Sequence, residues 1–86
     1  MAYNVLFKKS VHHDLKKLSK AQIRRILSKI EHELANDPES NPVLKGQFAG
    51  LRKFRIGDYR VVYALLGADI LILRIGHRRD VYRSEV

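Results

Sequence analysis

The pair Gly57-Asp58, flanked on both sides by alternating apolar and basic residues, is the feature that most constrains the fold of this sequence. Glycine at a two-residue turn supplies the positive φ that a tight β-hairpin needs. A turn of two residues also fixes the register, which places Ile56 opposite Tyr59 and Arg55 opposite Arg60. Side chains alternate across a strand. One face of the hairpin is therefore predicted to carry Lys53, Arg55 and Arg60, and the other Phe54, Ile56, Tyr59 and Val61.

The predicted hairpin brings two like charges together. Arg55 and Arg60 lie opposite each other, and like charges opposed on a strand pair destabilise it, so we expect this face to bind an anion. The whole chain is basic, with 17 Lys and Arg residues against 9 Asp and Glu and a net charge of +8. Such a charge is typical of a nucleic-acid-binding protein or of a protein with an acidic partner. Charge alone does not distinguish the two.

Length and composition predict a single folded domain, residues 1–86. The hydrophobic share of 45% is too high for a disordered chain, and without cysteine the fold has no disulfides. No apolar run approaches the roughly 18 residues of a membrane span, and the start of the chain lacks the apolar core of a signal peptide. We therefore expect a cytoplasmic protein without a membrane partner.

The residues before the hairpin predict one strand followed by two helices. Residues 3–7 alternate in the manner of a strand. Ser10 is expected to cap a short helix that ends at Lys17. A second helix begins at Ser19, and Gln22 three residues later completes a capping-box pattern. The apolar side chains of this helix form a stripe along one side, consisting of Ile23, Ile26, Leu27, Ile30 and Leu34.

Three strands follow the second helix, which is expected to end near residues 36–38 because the residue before a proline disfavours helical angles. After a loop over 38–50, the strands are predicted at 51–56, 59–66 and 69–75. The run 70–73 is apolar on both faces, which is typical of a central strand. The order β-α-α-β-β-β predicts an α+β domain with a helical hairpin packed on one face of a small, mainly antiparallel four-stranded sheet. The face with Lys53, Arg55 and Arg60 would then point away from the helices.

The basic tail after Gly76 extends this surface. If the last strand continues, Arg78, Asp80 and Tyr82 share one face, and strand pairing brings Arg78 and Tyr82 towards Arg60. Arginine binds phosphate through its planar fork, and an aromatic ring provides a stacking platform for an unpaired base. The alternative is a solvated basic face with no role beyond solubility.

The four histidines give no metal-binding pattern. His12, His13 and His32 are expected on polar helix surfaces. Side-chain alternation along a regular strand places His77 on the face away from Arg78. The sequence lacks HExxH, clustered carboxylates and a glycine-rich phosphate loop. We therefore expect neither a metal nor a cofactor.

Two segments, LKGQFAGLRKFRIGDYRVVYAL and LRIGHRRDVYR, resemble the RelE/ParE superfamily of bacterial and archaeal toxins from type II toxin–antitoxin systems. The resemblance extends over nearly the whole chain and implies the same β-α-α-β-β-β fold. RelE-type members are ribosome-dependent mRNA interferases that cut mRNA in the ribosomal A site. ParE-type members act on DNA gyrase and are not nucleases.

The resemblance also implies site residues. In the RelE branch, the matching positions hold the scissile phosphate, assist attack by the 2′-OH and protonate the leaving 5′-oxygen, while a tyrosine stacks on an mRNA base. The catalytic set carried over to this sequence is Lys53, Arg55, Arg60, Arg78 and Tyr82. Further RNA contacts are expected from Lys45, Arg52, His77, Arg79 and Arg83.

One departure affects the mechanism. Arg55 stands where well-known RelE members have a lysine proposed as the general base, and a guanidinium is a poor base. Lys53, beside two arginines, is the better candidate, and the set as a whole is interpreted as electrostatic stabilisation of a pentacoordinate phosphate. Two alternatives remain open: a ParE-like gyrase inhibitor, and an RNA-binding module that binds without cutting.

The family implies partners as well. A cognate acidic antitoxin of the RelB type is expected to neutralise the basic face. The RelE reading adds the ribosome and mRNA as targets. Operator DNA would be reached only through the antitoxin.

Overall fold

The computed structural model describes residues 3–82 and contains two α-helices packed on a four-stranded mixed sheet. Its elements are β1 (Asn4–Phe7), α1 (Ser10–Lys16), α2 (Lys20–His32), β2 (Arg52–Ile56), β3 (Tyr59–Leu66) and β4 (Asp69–His77). The strand order is β1-β4-β3-β2, with β1 parallel to β4 and the other pairs antiparallel. The predicted α+β order is confirmed, and β4 is central. No helix in the described range is long and apolar enough to cross a membrane.

The predicted hairpin register is confirmed. Ile56 pairs with Tyr59 and Arg55 with Arg60, and Gly57 has a φ of +57°. The apolar face of the hairpin joins the core beneath the helices, which contains Phe54, Ile56, Val61, Tyr63, Ile70, Ile72, Ile75, Val11, Ile26, Ile30 and Leu34. Lys53, Arg55 and Arg60 therefore lie on the sheet face away from the helices.

The two helices begin differently. At α2 the predicted capping box is present: the amide of Gln22 donates to Ser19 Oγ at 3.2 Å, and the amide of Ser19 donates to Gln22 Oε1 at 3.1 Å. The prediction that Ser10 caps α1 is wrong. The N-cap is Lys9, which makes no side-chain capping bond, and the buried Ser10 hydroxyl finds no hydrogen-bond partner in the described part of the chain. The chain enters α1 through a tight turn in which the amide of Val11 donates to the Lys8 carbonyl at 2.9 Å, so the helix starts too early for Ser10 to act as a cap.

The second helix ends earlier than predicted. It stops at His32 instead of near residues 36–38, and a 3₁₀ turn covers Leu34–Asn36. Asn36 Nδ2 donates to the His32 carbonyl at 2.8 Å. This side-chain bond satisfies a carbonyl that the helix leaves without a partner, so the chain can tighten into the 3₁₀ turn before Pro38 is reached.

A buried carboxylate fixes the second half of β4. Strand β1 ends at Phe7, opposite Ile72. Beyond that point Asp14 of α1 lies along the edge of β4 that β1 leaves unpaired. It accepts from the amide of Ile75 at 3.0 Å and from Arg74 Nε at 3.0 Å and Nη2 at 3.1 Å. A β-bulge in the pairing with β3 lies at the same place. Breaking a buried pair of this kind typically costs about 3–5 kcal/mol, so the end of β4 is firmly held.

Candidate functional site

Four cations gather where the β2–β3 hairpin meets the end of β4, and we call Lys53, Arg55, Arg60 and Arg78 the basic cluster. Arg55 is exposed, whereas Lys53 and Arg60 are half-buried. Direct pairing of Arg55 with Arg60 brings their backbones to adjacent positions on one face. The hairpin turn thus holds concentrated positive charge on an open surface.

The guanidinium of Arg60 is fixed by its own turn. Its Nη1 donates to the carbonyl of Gly57 at 2.8 Å and to that of Tyr59 at 2.9 Å. The other guanidinium nitrogens make no hydrogen bond with the part of the chain that the structure describes. Those donors are free to bind an anion, and the two carbonyl bonds orient the planar group.

Arg78 is held by the same turn, but not in the way expected. Strand β4 ends at His77, and the amides of Asp80 and Val81 both donate to the His77 carbonyl, at 2.9 and 3.0 Å. The chain turns here because β3 begins at Tyr59 and offers no partner beyond His77. The prediction that Arg78, Asp80 and Tyr82 share a strand face is therefore wrong.

The turn folds the tail back over the sheet. A Cβ placed on Gly76 would lie 3.5 Å from Val81 Cβ, and Val81 and Val62 are fully buried although neither belongs to the main core. The ring of Tyr82 lies 5.6 Å from that of Phe48 at an angle of 57°. These residues form a small apolar cluster beside the basic cluster, on the sheet face without helices.

The hydroxyl of Tyr82 is buried and has no hydrogen-bond partner among residues 3–82. Burial raises the pKa of Tyr82, and the positive charge of Arg60 opposes that rise. The hydroxyl therefore stays protonated at neutral pH, close to the basic cluster. The ring itself is half-buried and packs at an angle against Phe48.

Replacing Tyr82 with Phe is expected to raise the free energy of unfolding by about 1 kcal/mol, because it removes a buried hydroxyl that the described residues leave without a partner. Urea denaturation measures the change. Tyr63→Phe is the matched control: that hydroxyl donates to the Pro38 carbonyl and accepts from Asn41 Nδ2 at 3.1 Å, so its removal should lower stability. A similar loss for both variants would contradict the buried, unpartnered state of the Tyr82 hydroxyl.

The remaining predicted RNA contacts fall in several places. Lys45 and Arg79 are exposed. Arg52 pairs with Tyr63 and so lies on the helix side of the sheet, where its Nη1 donates to the carbonyls of Glu39 at 3.0 Å and Asn41 at 2.7 Å. Arg83 lies outside the described residues.

His77 also points away from the basic cluster, as its parity predicted. Its ring meets that of Tyr59 edge-on at 5.9 Å, and its Nδ1 accepts from the amide of Arg79 at 3.2 Å. Strand pairing with Tyr59 explains this placement.

Sequence reasoning missed two neighbours of the site. Arg25 on α2 reaches the hairpin turn, since a Cβ on Gly57 would lie 3.5 Å from Arg25 Nη2. Phe48 supports Tyr82. A large aromatic residue in a loop otherwise rich in Gly, Pro and polar residues is a signal for Phe48, whereas nothing in the local sequence singles out Arg25 from the other cations of α2.

The basic cluster lines neither of two cavities in the described part of the chain. One cavity of about 540 Å³ lies between α1 and β4 and is lined by residues such as Asp14, Lys17, Tyr59 and His77, and another of about 380 Å³ lies between β1 and α2. Small molecules usually bind in cavities, so an open cationic surface favours a macromolecular anion. Within residues 3–82, no group of three or more His, Asp or Glu side chains is placed to hold a metal ion.

The architecture is that of RelE-like toxins. The chain superposes on the toxin–antitoxin complex RelBE2 from Mycobacterium tuberculosis with a TM-score of 0.84 and 28% identity, over 93% of this chain and 95% of that one. It is 32% identical to a chain of the archaeal RelE–RelB complex from Pyrococcus horikoshii, with a TM-score of 0.64 over 98% and 100% of the two chains. A chromosomal ParDE system from P. aeruginosa shares the fold, with a TM-score of 0.72 and 13% identity over 88% and 96%.

The family model for the ParE toxin of type II toxin–antitoxin systems matches residues 5–82. The chain therefore belongs to the RelE/ParE superfamily and is a toxin of a type II toxin–antitoxin system. No curated protein sequence gives a significant match.

Proposed function

We propose that this toxin is a ribosome-dependent mRNA interferase that cuts mRNA in the ribosomal A site. The observation that carries the proposal is the hairpin register, which sets Arg55 opposite Arg60 on an open face, with Arg78 attached to the same turn. The 32% identity to the archaeal RelE–RelB structure over nearly the full chain supports this reading.

The proposed reaction is attack of a ribose 2′-OH on the neighbouring phosphorus, without a metal ion. The 2′-oxygen forms a bond to phosphorus as it loses its proton, the bond to the 5′-oxygen breaks, and that oxygen takes up a proton from water as it leaves. Lys53 is the candidate to accept the 2′-OH proton, and Arg55, Arg60 and Arg78 stabilise the charge on the pentacoordinate phosphate. The ribosome holds the message in line, which an open surface does not do by itself.

Other residues are proposed to hold the message. Tyr82, whose half-buried ring packs against Phe48, is proposed to stack on an unpaired base. The exposed cations Lys45 and Arg79, together with Arg83, are proposed to contact RNA phosphates. Arg52 and His77 face the other side of the sheet, so they are weaker candidates for direct contact.

An acidic RelB-like antitoxin is the proposed partner. The structures from M. tuberculosis and P. horikoshii are complexes of toxin with antitoxin. A net charge of +8 favours an acidic chain that covers the basic cluster. Operator DNA would be bound through the antitoxin, and the toxin would act in the cytoplasm.

Gyrase inhibition is the second candidate function. The match to the ParE family model favours it, and the P. aeruginosa ParDE structure shares the fold. A non-catalytic RNA-binding module would use the same basic face without cleavage. The full set of cations with Tyr82 at one site favours the interferase over both.

Pulse labelling after induction in a bacterium separates these functions. We expect methionine incorporation to fall before thymidine incorporation, because the proposed target is the translating ribosome. If DNA synthesis stops first and linearised plasmid trapped on gyrase accumulates, the gyrase inhibitor replaces our proposal. Growth arrest with intact messages would favour the binding module.

A further inference from the structure

We infer that Asp58 is a positioning residue that holds Arg78 against the hairpin turn. The inference rests on the proposed function, because Arg78 is there one of the groups that stabilise the reacting phosphate. It assigns a role to the carboxylate of the Gly57-Asp58 turn beyond its part in forming the turn.

Two contacts join Asp58 to Arg78. The amide of Arg78 donates to the Asp58 carbonyl at 2.7 Å, which fixes the backbone just after β4 ends. Its Nε lies 3.9 Å from Asp58 Oδ1, within reach of an ion pair but beyond a hydrogen bond. One residue therefore holds Arg78 through both its main chain and its side chain.

The turn holds both arginines with consecutive residues. The carbonyls of Gly57 and Tyr59 accept from Arg60, and Asp58, between them, holds Arg78 from the other side. Three consecutive carbonyls thus accept from these two arginines: those of Gly57 and Tyr59 from the Arg60 guanidinium, and that of Asp58 from the Arg78 amide. The same acceptors reduce the repulsion among the cations of the basic cluster, since each opposes positive charge with a carbonyl dipole or a carboxylate.

The carboxylate affects binding and chemistry in opposite directions. A negative charge within the basic cluster weakens its attraction for RNA, so its removal alone should tighten binding. If the carboxylate also orients Arg78, its removal should slow the chemical step. The side chains of Asp58 and Arg78 are 68% and 52% exposed, and exposed pairs of this kind add little to stability, so folding will not mask the result.

The test compares Asp58→Asn with wild type on mRNA programmed into the ribosomal A site. We expect kcat to fall about 10- to 100-fold while KM stays level or decreases, with an unchanged melting temperature. Glu31→Gln is the control, because it also removes one carboxylate, but Glu31 lines the cavity between β1 and α2. In an Arg78→Ala background, Asp58→Asn should have no further effect on kcat. The inference is overturned if Asp58→Asn raises kcat/KM, as the loss of a negative charge alone would do. It is also overturned if Asp58→Asn lowers kcat equally in wild type and in the Arg78→Ala background.

A second measurement does not depend on cleavage. The Nε–H group of Arg78 should give an ordered NMR signal in wild type and a mobile one in Asp58→Asn, while Glu31→Gln leaves it ordered. An Arg78 signal of equal mobility in all three proteins overturns the inference. A wild type that fails to cut would reject the proposed reaction, and the NMR comparison would still decide whether Asp58 holds Arg78.

Discussion

A message with 2′-deoxyribose at the scissile nucleotide should resist this toxin completely. The proposed nucleophile is the 2′-oxygen of the RNA itself, and no side chain of the basic cluster can replace it. The assay places matched messages, with and without the substitution, in the A site of purified ribosomes and follows cleavage by gel. The product ends give a second reading: we expect a 2′,3′-cyclic or 3′-phosphate and a 5′-hydroxyl.

Two controls test whether cleavage needs the ribosome and whether it needs a metal ion. Free RNA should be cut slowly or not at all, because the open surface provides charge but not in-line geometry. A chelator that spares the ribosome's own magnesium should leave the rate unchanged, since the sequence has no clustered carboxylates for a catalytic ion. Rapid cleavage of the deoxy-substituted message would show that the nucleophile comes from elsewhere and that the mechanism is wrong.

Replacing Arg60 with Ala should lower cleavage by about 10²–10³-fold, corresponding to about 3–4 kcal/mol of transition-state stabilisation. Arg60 is the best oriented cation of the cluster, with its Nη1 bonded to two carbonyls of the turn. Stability should change by no more than about 1 kcal/mol, because the loss of these bonds is offset by relief of repulsion with Arg55. Single-turnover cleavage and urea denaturation measure the two effects separately.

The matched control for Arg60→Ala is Lys8→Ala. It also removes one positive charge, but Lys8 follows β1 at the edge of the sheet opposite to β2. We expect this variant to retain nearly full activity, with at most a small loss from weaker long-range attraction. Equal toxicity of wild type and Arg60→Ala, or equal losses in the two variants, would contradict a specific role for Arg60.

Much of the framework could be predicted because it depends on short-range rules. The Gly57-Asp58 turn specified the pairing of Arg55 with Arg60, and the Ser19/Gln22 capping box marked the start of α2. The end of α2 was placed too late because a local side-chain bond from Asn36 to the His32 carbonyl closes the helix early. The other two failures have a common origin. Ser10 and the tail after His77 follow local patterns of a cap and a strand, but their actual states depend on the turn after β1 and on where β3 begins.

The sequence alone determined the elements of this protein, their order and the face on which the basic residues lie, because a two-residue turn and strand alternation act between near neighbours. Tertiary structure decided how the site is built from them. The turn after β4 places Arg78 against Asp58 and Tyr82 against Phe48, and these contacts join residues 20 or more positions apart in the chain. Likewise, Asp14 fixes β4 from a helix some 60 residues away. Such contacts depend on how the elements pack together, which no local spacing of residues encodes.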